Sequence, residues 1–433
     1  MAPEPLPVVP SGPLDATVRV PGSKSWTQRA LCLAALADGE STIRGWGDNE
    51  DVRRCAEAVE RLGAQVGIAP GEIRVRGPAQ AERAELDLGG SGTAFRFMIG
   101  LCLALPGDFL LDGNASLRAR PIGPLARAAS DLGAAIRWMG REGYPPLRLA
   151  SFGLTPKRVL VDASVSSQFL SALLIAGAAV DPPGLSVRTT GPVASASYVD
   201  MTVAALRAFG VRVHAGPGTW TVSGPARPTG FDVEPDATGA NYFFGAAAAA
   251  GGRVRVEGVR RGGLQGDLEF LAVLERMGCR VEERDGGVEV TGGALRGVEA
   301  DFSGMPDSAQ TFAVLAVLAA GESRVRGASN LQVKETDRLN DTAAELRKLG
   351  AEVETHGDGW TIRPAAPRPA VIDPHGDHRM AMAFALAGLR LPGIAIADPA
   401  VVGKSFPGFW DTLSRVTRGG SCPSGPEFRS KES

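Results

Sequence analysis

Residues 311–327 read TFAVLAVLAAGESRVRG, and residues 345–364 read ELRKLGAEVETHGDGWTIRP. The first stretch is apolar on every face over a helical length, breaks at a glycine, and continues into a short β-rich run. The second is the end of an amphipathic helix followed by Gly350, at the position where helices close in a left-handed turn. Two alternating runs joined by a Gly-containing turn come next, which is the pattern of a β-hairpin. Together they spell one unit: buried helix, strand, amphipathic helix, hairpin.

The unit recurs. Apolar stretches of the first kind begin near Ala30 (ALCLAALADGESTIRG), Ala94 (AFRFMIGLCLALPGDFLLDG), Phe169 (FLSALLIAGAAV), Tyr242 (YFFGAAAAAGGRVRVEG) and Met380 (MAMAFALAGLRLPGIAIAD). The second signature returns at Ala58 (AVERLGAQVGIAPGEIRVRG), Ala128 (AASDLGAAIRWMG), Ala205 (ALRAFGVRVHAGPGTWTVSG) and Val273 (VLERMGCRVEERDGGVEVTG). Six units exceed what one core usefully holds, so two globular halves of three units each are expected. The all-round apolar helices belong inside each half, with sheets and amphipathic helices outside. The Pro-containing run 225–235 (PARPTGFDVEP) separates the third and fourth copies and is the expected crossover. The sixth copy decays after Trp410, and the tail from Gly419 (GGSCPSGPEFRSKES) reads as disordered.

Composition narrows the function. The 433 residues hold 46 Lys+Arg against 48 Asp+Glu, a net charge of −2, which argues against nucleic-acid binding through bulk charge. At 44% hydrophobic and 22% charged, the chain is globular, and no apolar run approaches a membrane span. The N-terminus shows neither a basic n-region nor an apolar h-region, so the cytosol is expected. Five cysteines, an odd number with no CxxC pair, exclude a disulfide framework or a zinc ribbon as the organising feature. Only six basic residues are lysine, so a lysine here is expected to serve its own chemistry, a compact charge with a movable pKa.

The chemistry stands at the helix starts. Before the six apolar stretches come SKSWTQR (23–29), GGSGTAFR (89–96), SVSSQ (164–168), DATGAN (236–241), MPDSAQ (305–310) and GDHR (376–379). Ser, Thr, Asp and Asn there are ordinary N-caps. Several of these segments also carry Lys, Arg, His or Gln, and a cation beside the positive end of a helix makes an anion site. If the helices of each half run parallel, their N-termini line one cleft, which then suits a substrate rich in phosphate or carboxylate. Gly403-Lys404-Ser405 is not a P-loop, because the first glycine of that motif falls on Asp398. Asp373, His375, Asp377 and His378 are metal ligands by type, but they are too close in sequence to converge readily and Arg379 adjoins them. The last dense motif, NLQVKETDRL (330–339), adds Lys334, Glu335 and Arg338, which with Asp307 make a proton-transfer set beside cations.

At this point the motifs become recognisable. PGSKSWTQRAL, LGGSGTAFR, SSQFLSALL, MPDSAQT, VKETDRL, DHRMAMAF and DPAVVGKSFPGFW, in this order over nearly the whole chain, resemble the enolpyruvyl transferase family, and within it the enolpyruvylshikimate-phosphate synthases. The resemblance implies an α/β (α+β) fold of two domains, each three βαβαββ units around buried parallel helices (an inverse αβ barrel), with the active site between them. Residues 1–19 plus 230–433 would form one domain, with its tail from about 419, and residues 20–229 the other. It implies transfer of the enolpyruvyl group of phosphoenolpyruvate to the 5-hydroxyl of shikimate 3-phosphate, in a cytosolic monomer. No cofactor, metal, nucleic acid or membrane would be involved. Carried over motif by motif, Lys24, Ser25 and Arg29 would bind on the shikimate phosphate side, Lys24 also reaching phosphoenolpyruvate. Ser166, Ser167, Gln168 and Ser195 would hold the shikimate phosphate, with Gln168 bridging to the enol ligand. Asp307, Asn330 and Lys334 would meet the shikimate ring, and Gly92, Arg120, Arg338, Arg379 and Lys404 would clamp phosphoenolpyruvate. Asp307 is implied as proton acceptor, Glu335 as partner in proton delivery to C3, and Lys24 as the third catalytic residue. Glyphosate is the implied inhibitor.

Three positions depart from the family pattern: Gly90 where Asn is common, Ser116 where a basic residue is frequent, and Ala196-Ser197 before Tyr198. The alternative within the same fold is transfer to UDP-N-acetylglucosamine. That sister enzyme has an Asn after the N-terminal lysine and a mobile-loop cysteine, where this chain has Ser25 and, at Cys102, a cysteine in an apolar run.

Overall fold

The computed structural model describes residues 4–418, so the tail read as disordered lies outside the described residues. Six helices form the interior: Lys24–Leu36 (α1), Gly92–Ala104 (α2), Ser167–Ala176 (α3), Ala237–Ala250 (α4), Ala309–Leu318 (α5) and His378–Gly388 (α6). Their Ala and Leu content favours helix, and burial on all sides follows from the absence of a polar stripe. Two separate cores result. One is built from residues between Trp26 and Val233, around α1–α3. The other takes residues Val8–Val20 and Ala237–Val416, around α4–α6.

Among the described residues, the outside of the halves is made of six sheets, five of four strands and one of three. The strand Glu72–Gly77 shows the alternation of a half-buried hairpin: Ile73 and Val75 point inward while Arg74 and Arg76 face solvent. The sixth unit has its outer helix, Phe409–Thr417, but no hairpin follows it among the described residues. The N-terminal strand Leu6–Val8 completes that sheet by antiparallel pairing with Ile394–Ile396.

Two strands are supplied from a distance, and they fix how the halves are joined. Leu14–Val18 pairs in parallel with Gly252–Glu257 of the second half, although the first half follows it in sequence. Gly230–Asp232 pairs in parallel with Gly39–Arg44 of the first half, and Phe231 and Val233 pack on that core. The expected crossover run 225–235 thus carries, at its middle, a strand that completes a sheet of the first half. The chain crosses near residues 19–23 and again near 233–236, and the crossings are hydrogen-bonded side by side. Ser23 N donates to Glu234 O (2.8 Å) and Asp236 N to Pro21 O (2.9 Å).

α2 and α3 approach closely enough that a Cβ on Gly100 would lie 2.3 Å from the carbonyl oxygen of Ala172. Gly100→Ala must push these helices apart, at a cost of about 1–3 kcal/mol. The expected outcome is a melting midpoint lower by several degrees, whereas Gly67→Ala, with no atom within 4 Å of its added Cβ, leaves the midpoint nearly unchanged.

Candidate active site

The N-termini of five core helices meet at one cleft between the halves, of about 820 Å³ including its open mouth. α1 brings Lys24 and Ser25, α2 Gly92, Thr93 and Arg96, and α3 Ser166, Ser167 and Gln168. The turn before α5 brings Asp307, and α6 brings Arg379. Neither Ser23 nor Ser91 caps its helix with a side-chain hydrogen bond, so α1 and α2 keep their first amides for another acceptor, whereas the Ala309 amide that opens α5 already bonds to Pro306 O. Six cationic side chains line the cleft (Lys24, Arg96, Arg120, Lys334, Arg338, Arg379) against three carboxylates, Asp51, Asp307 and Glu335. Helix ends and cations together make it a site for anions.

Each carboxylate is held by several cations. Asp307 accepts from Arg338 Nη1 (2.9 Å) and is ion-paired with Arg379 Nη2 (2.8 Å), with Lys334 Nζ at 3.5 Å. Burial opposes its charge, but Arg379, Lys334 and Arg338 hold its carboxyl far below the ordinary range. Glu335 accepts from Arg338 Nη2 (2.8 Å), with Arg120 at 3.5 Å and Lys404 at 4.0 Å. Against burial, these cations hold its pKa well down too. Burial also lowers Lys334. It brings Arg96 down to about 9, with Arg120 adding repulsion.

The two halves are tied across the cleft by polar groups. Lys404 of the second half donates to Asp51 Oδ1 (3.1 Å) and Gly90 O (2.7 Å) of the first. Ser116 Oγ donates to the Glu335 carbonyl (3.0 Å) and accepts from Arg120 (3.1 Å), so a small hydroxyl occupies the place where a base is frequent. At Gly90 an added Cβ would lie 2.9 Å from Lys404 Nζ, so a side chain there would have to share space with that lysine. Asn330 Nδ2 donates to Ser195 Oγ (3.3 Å), Ser195 having the positive φ of 52°. Asn330 Oδ1 is a buried acceptor with no hydrogen-bond partner among the described residues.

Fourteen of the sixteen residues expected at the site line this cleft: Lys24, Ser25, Gly92, Arg120, Ser166, Ser167, Gln168, Ser195, Asp307, Asn330, Lys334, Glu335, Arg338 and Arg379. Two do not. Lys404 stands just behind, reaching the cleft through Asp51 and Glu335. Arg29 does not line the cleft: its guanidinium is buried and bonded to Thr202 Oγ1, Ser25 O and Tyr198 O at 2.8 Å each. It stacks on Phe97 as well, so it supports the wall and does not face the cavity. Asp377, read by type as a possible ligand, caps α6 and grips Arg338, while His375 meets Glu345. Among the described residues no three His, Cys, Asp or Glu converge as a metal would require. Cys102 is buried in α2, its thiol pushed up by burial.

Sequence reasoning passed over Asp51 and Arg96, and weighed Asp377 only as a metal ligand. Asp51 sits in the first turn of Glu50–Arg61, an ordinary place for an acid, and nothing local marks it out. Its carboxylate lies 2.7 Å from Lys24 and 3.1 Å from Lys404. Burial pushes its pKa up, but the two lysines bring it down to about 2. A carboxylate lowered from 3.8 to about 2 contributes about 2 kcal/mol of stability, whole above pH 4 and lost as pH falls towards 2. Asp51→Asn is therefore expected to melt lower than wild type at pH 7. That difference should shrink as pH is taken from 4 to 3 in parallel thermal scans.

The cleft and the fold have known counterparts. A family model described as EPSP synthase (3-phosphoshikimate 1-carboxyvinyltransferase) matches residues 8–413. A 3-phosphoshikimate 1-carboxyvinyltransferase of Syntrophobacter fumaroxidans is 44% identical over 94% of this chain and 99% of its own. One from Escherichia coli is 39% identical over 96% of this chain and all of its own. The solved EPSP synthase of Acinetobacter baumannii superposes with a TM-score of 0.79 at 27% identity, covering 96% of this chain and 98% of its own. With a whole-length family match, close relatives and a cleft built for anions in agreement, the chain belongs to the EPSP synthase (3-phosphoshikimate 1-carboxyvinyltransferase) family.

Proposed function

We infer that this chain transfers the enolpyruvyl group of phosphoenolpyruvate to the 5-hydroxyl of shikimate 3-phosphate and releases phosphate, the reaction for which its family is named. The observation that carries the reading is the pairing, in one cleft, of six cations and uncapped helix ends with a carboxylate set among cations. The two substrates bring several negative charges together, and such a lining neutralises them. UDP-N-acetylglucosamine is not favoured: the relatives carry the shikimate name, and no cysteine lines the cleft among the described residues.

In this reading Ser166, Ser167, Gln168 and Ser195, with Lys24 and Ser25, hold the phosphate of shikimate 3-phosphate. Asn330 offers its free Oδ1 to a ring hydroxyl, beside Lys334 and Asp307. Gly92, Arg120, Arg338 and Arg379 take phosphoenolpyruvate, with Lys404 closing behind. The 5-hydroxyl oxygen bonds to C2 of the enol, its proton passes to Asp307, and C3 takes a proton to give a tetrahedral intermediate. The C2–O bond to phosphate then breaks, and C3 returns its proton as the double bond reforms.

The charge network explains when Asp307 can act. Paired with three cations it is a poor base. Anionic ligand groups drawing on Arg338, Arg379 and Lys334 would weaken that hold and raise its pKa at the moment the hydroxyl arrives. Glu335 is likewise ionised by Arg120 and Arg338, so it must first gain a proton, with substrate bound, before serving C3. The reading further expects a cytosolic monomer with small-molecule partners alone.

Phosphate release should require shikimate 3-phosphate with phosphoenolpyruvate; release with UDP-N-acetylglucosamine in its place would overturn the assignment. Lys24→Arg keeps the charge but replaces a compact ammonium, 2.7 Å from buried Asp51, with a wider planar group. Steady-state kinetics should show kcat/KM falling on the order of 100-fold. At Gly92 an added Cβ would lie 2.8 Å from Nη1 of both Arg120 and Arg96. Gly92→Ala should push these guanidinium groups into the ligand space, raising the ratio of glyphosate Ki to phosphoenolpyruvate KM because the inhibitor is the longer ligand. An unchanged ratio would show that this glycine does not set the fit.

A further inference from the structure

Arg338 opens the helix Arg338–Lys348, and Glu345 stands on the same face two turns later. Both are buried, and both reach the same short segment of another unit, residues 373–377. Arg338 donates to Asp377 Oδ2 from Nε (2.6 Å) and to Oδ1 from Nη2 (3.1 Å). Glu345 Oε2 accepts from the Asp373 amide (3.1 Å), and its Oε1 lies 3.0 Å from His375 Nε2. The segment is thus stapled to one helix at both ends.

Between the staples the backbone is strained. Asp377 N donates to Pro374 O (2.8 Å), closing a tight turn whose central residues are His375 and Gly376, at φ 52° and 69°. Two consecutive left-handed residues define this kind of turn, and glycine takes such a position without steric cost. Histidine does not, and such a residue persists only where its surroundings over-determine it. Here they do, through the imidazole on Glu345 and the His375 amide on Asp373 Oδ1 (2.7 Å).

The turn delivers Asp377 to a fully buried position, where Oδ1 also accepts from the Arg379 amide (2.8 Å) at the start of α6. One carboxylate therefore orients Arg338 by its side chain and Arg379 by its backbone, and both guanidinium groups converge on Asp307. We propose that Glu345 and His375 form a tether that holds the 374–377 turn in its left-handed conformation, and that through Asp377 it positions the two arginines facing phosphoenolpyruvate. They are positioning residues, and this assignment rests on the phosphoenolpyruvate site inferred above.

His375→Gly removes the imidazole while allowing the same backbone, and Glu345→Met replaces the buried carboxylate by an apolar chain of similar length. Each should raise the KM for phosphoenolpyruvate roughly tenfold while the KM for shikimate 3-phosphate stays within twofold. Amide exchange at Arg379, followed by mass spectrometry, should accelerate in both. Lys348→Ala serves as control, since Lys348 bonds Glu345 from the exposed side (2.7 Å); its phosphoenolpyruvate KM should stay at the wild-type value. A phosphoenolpyruvate KM within twofold of wild type in His375→Gly, with Arg379 exchange unchanged, would overturn the tether, as would an equal rise in Lys348→Ala. Should Glu345→Met fail to fold, His375→Gly decides alone, because its side chain is partly exposed and glycine relieves the strain. Should the wild type itself release no phosphate, the reaction assignment fails, and exchange at Arg379 still decides the tether.

Discussion

Arg338 is the group on which the cleft depends. It is 1% exposed, and its guanidinium contacts three carboxylates, Asp307, Glu335 and Asp377, each from a different segment. A lone buried guanidinium would cost several kcal/mol, and its pKa is instead raised because the carboxylates more than offset the burial. The same contacts keep Asp307 and Glu335 ionised and fix Asp377 over the start of α6. Removing Arg338 would leave those largely buried carboxylates short of charge, a larger loss than one hydrogen bond.

The repeat architecture makes such a cluster possible. A helix that is apolar all round has only its ends available for chemistry, and packing three of them in parallel brings three positive ends together. Two such bundles joined by adjacent crossings then face each other. Asp51 and Lys404, Arg120 and Glu335, and Asn330 and Ser195 are each pairs split between the halves, so the complete lining exists only where the halves meet. The cations, the carboxylates and the joining of the halves are therefore one electrostatic problem.

The repeat was legible because it is written in local patterns: apolar helices, a glycine after each amphipathic helix, and hairpin turns about 70 residues apart. The helix-start residues were legible for the same reason, since Lys24, Ser166 and Arg379 sit at positions that topology alone sends to one end of a bundle. What failed were features that depend on distance. Arg29 belongs to the same SKSWTQR run as Lys24, but five residues into a helix it has turned into the wall against Thr202 and Phe97. Asp51 looks like any acid in a first helical turn until Lys404, 353 residues away, is brought to it. The crossover strand Gly230–Asp232 was hidden similarly, because its pairing partner lies near residue 42.

The central claim is that both anions are held by the converging helix starts and by cations from the two halves at once. A crystal structure of the enzyme with shikimate 3-phosphate and an unreactive phosphoenolpyruvate analogue tests it most directly. The account predicts the shikimate phosphate on Ser166, Ser167 and Gln168 at the start of α3, and the analogue's carboxylate and phosphate on Arg120, Arg338 and Arg379, with the 5-hydroxyl beside Asp307. Either anion bound outside this cleft, or both contacted by residues of one half alone, would contradict it.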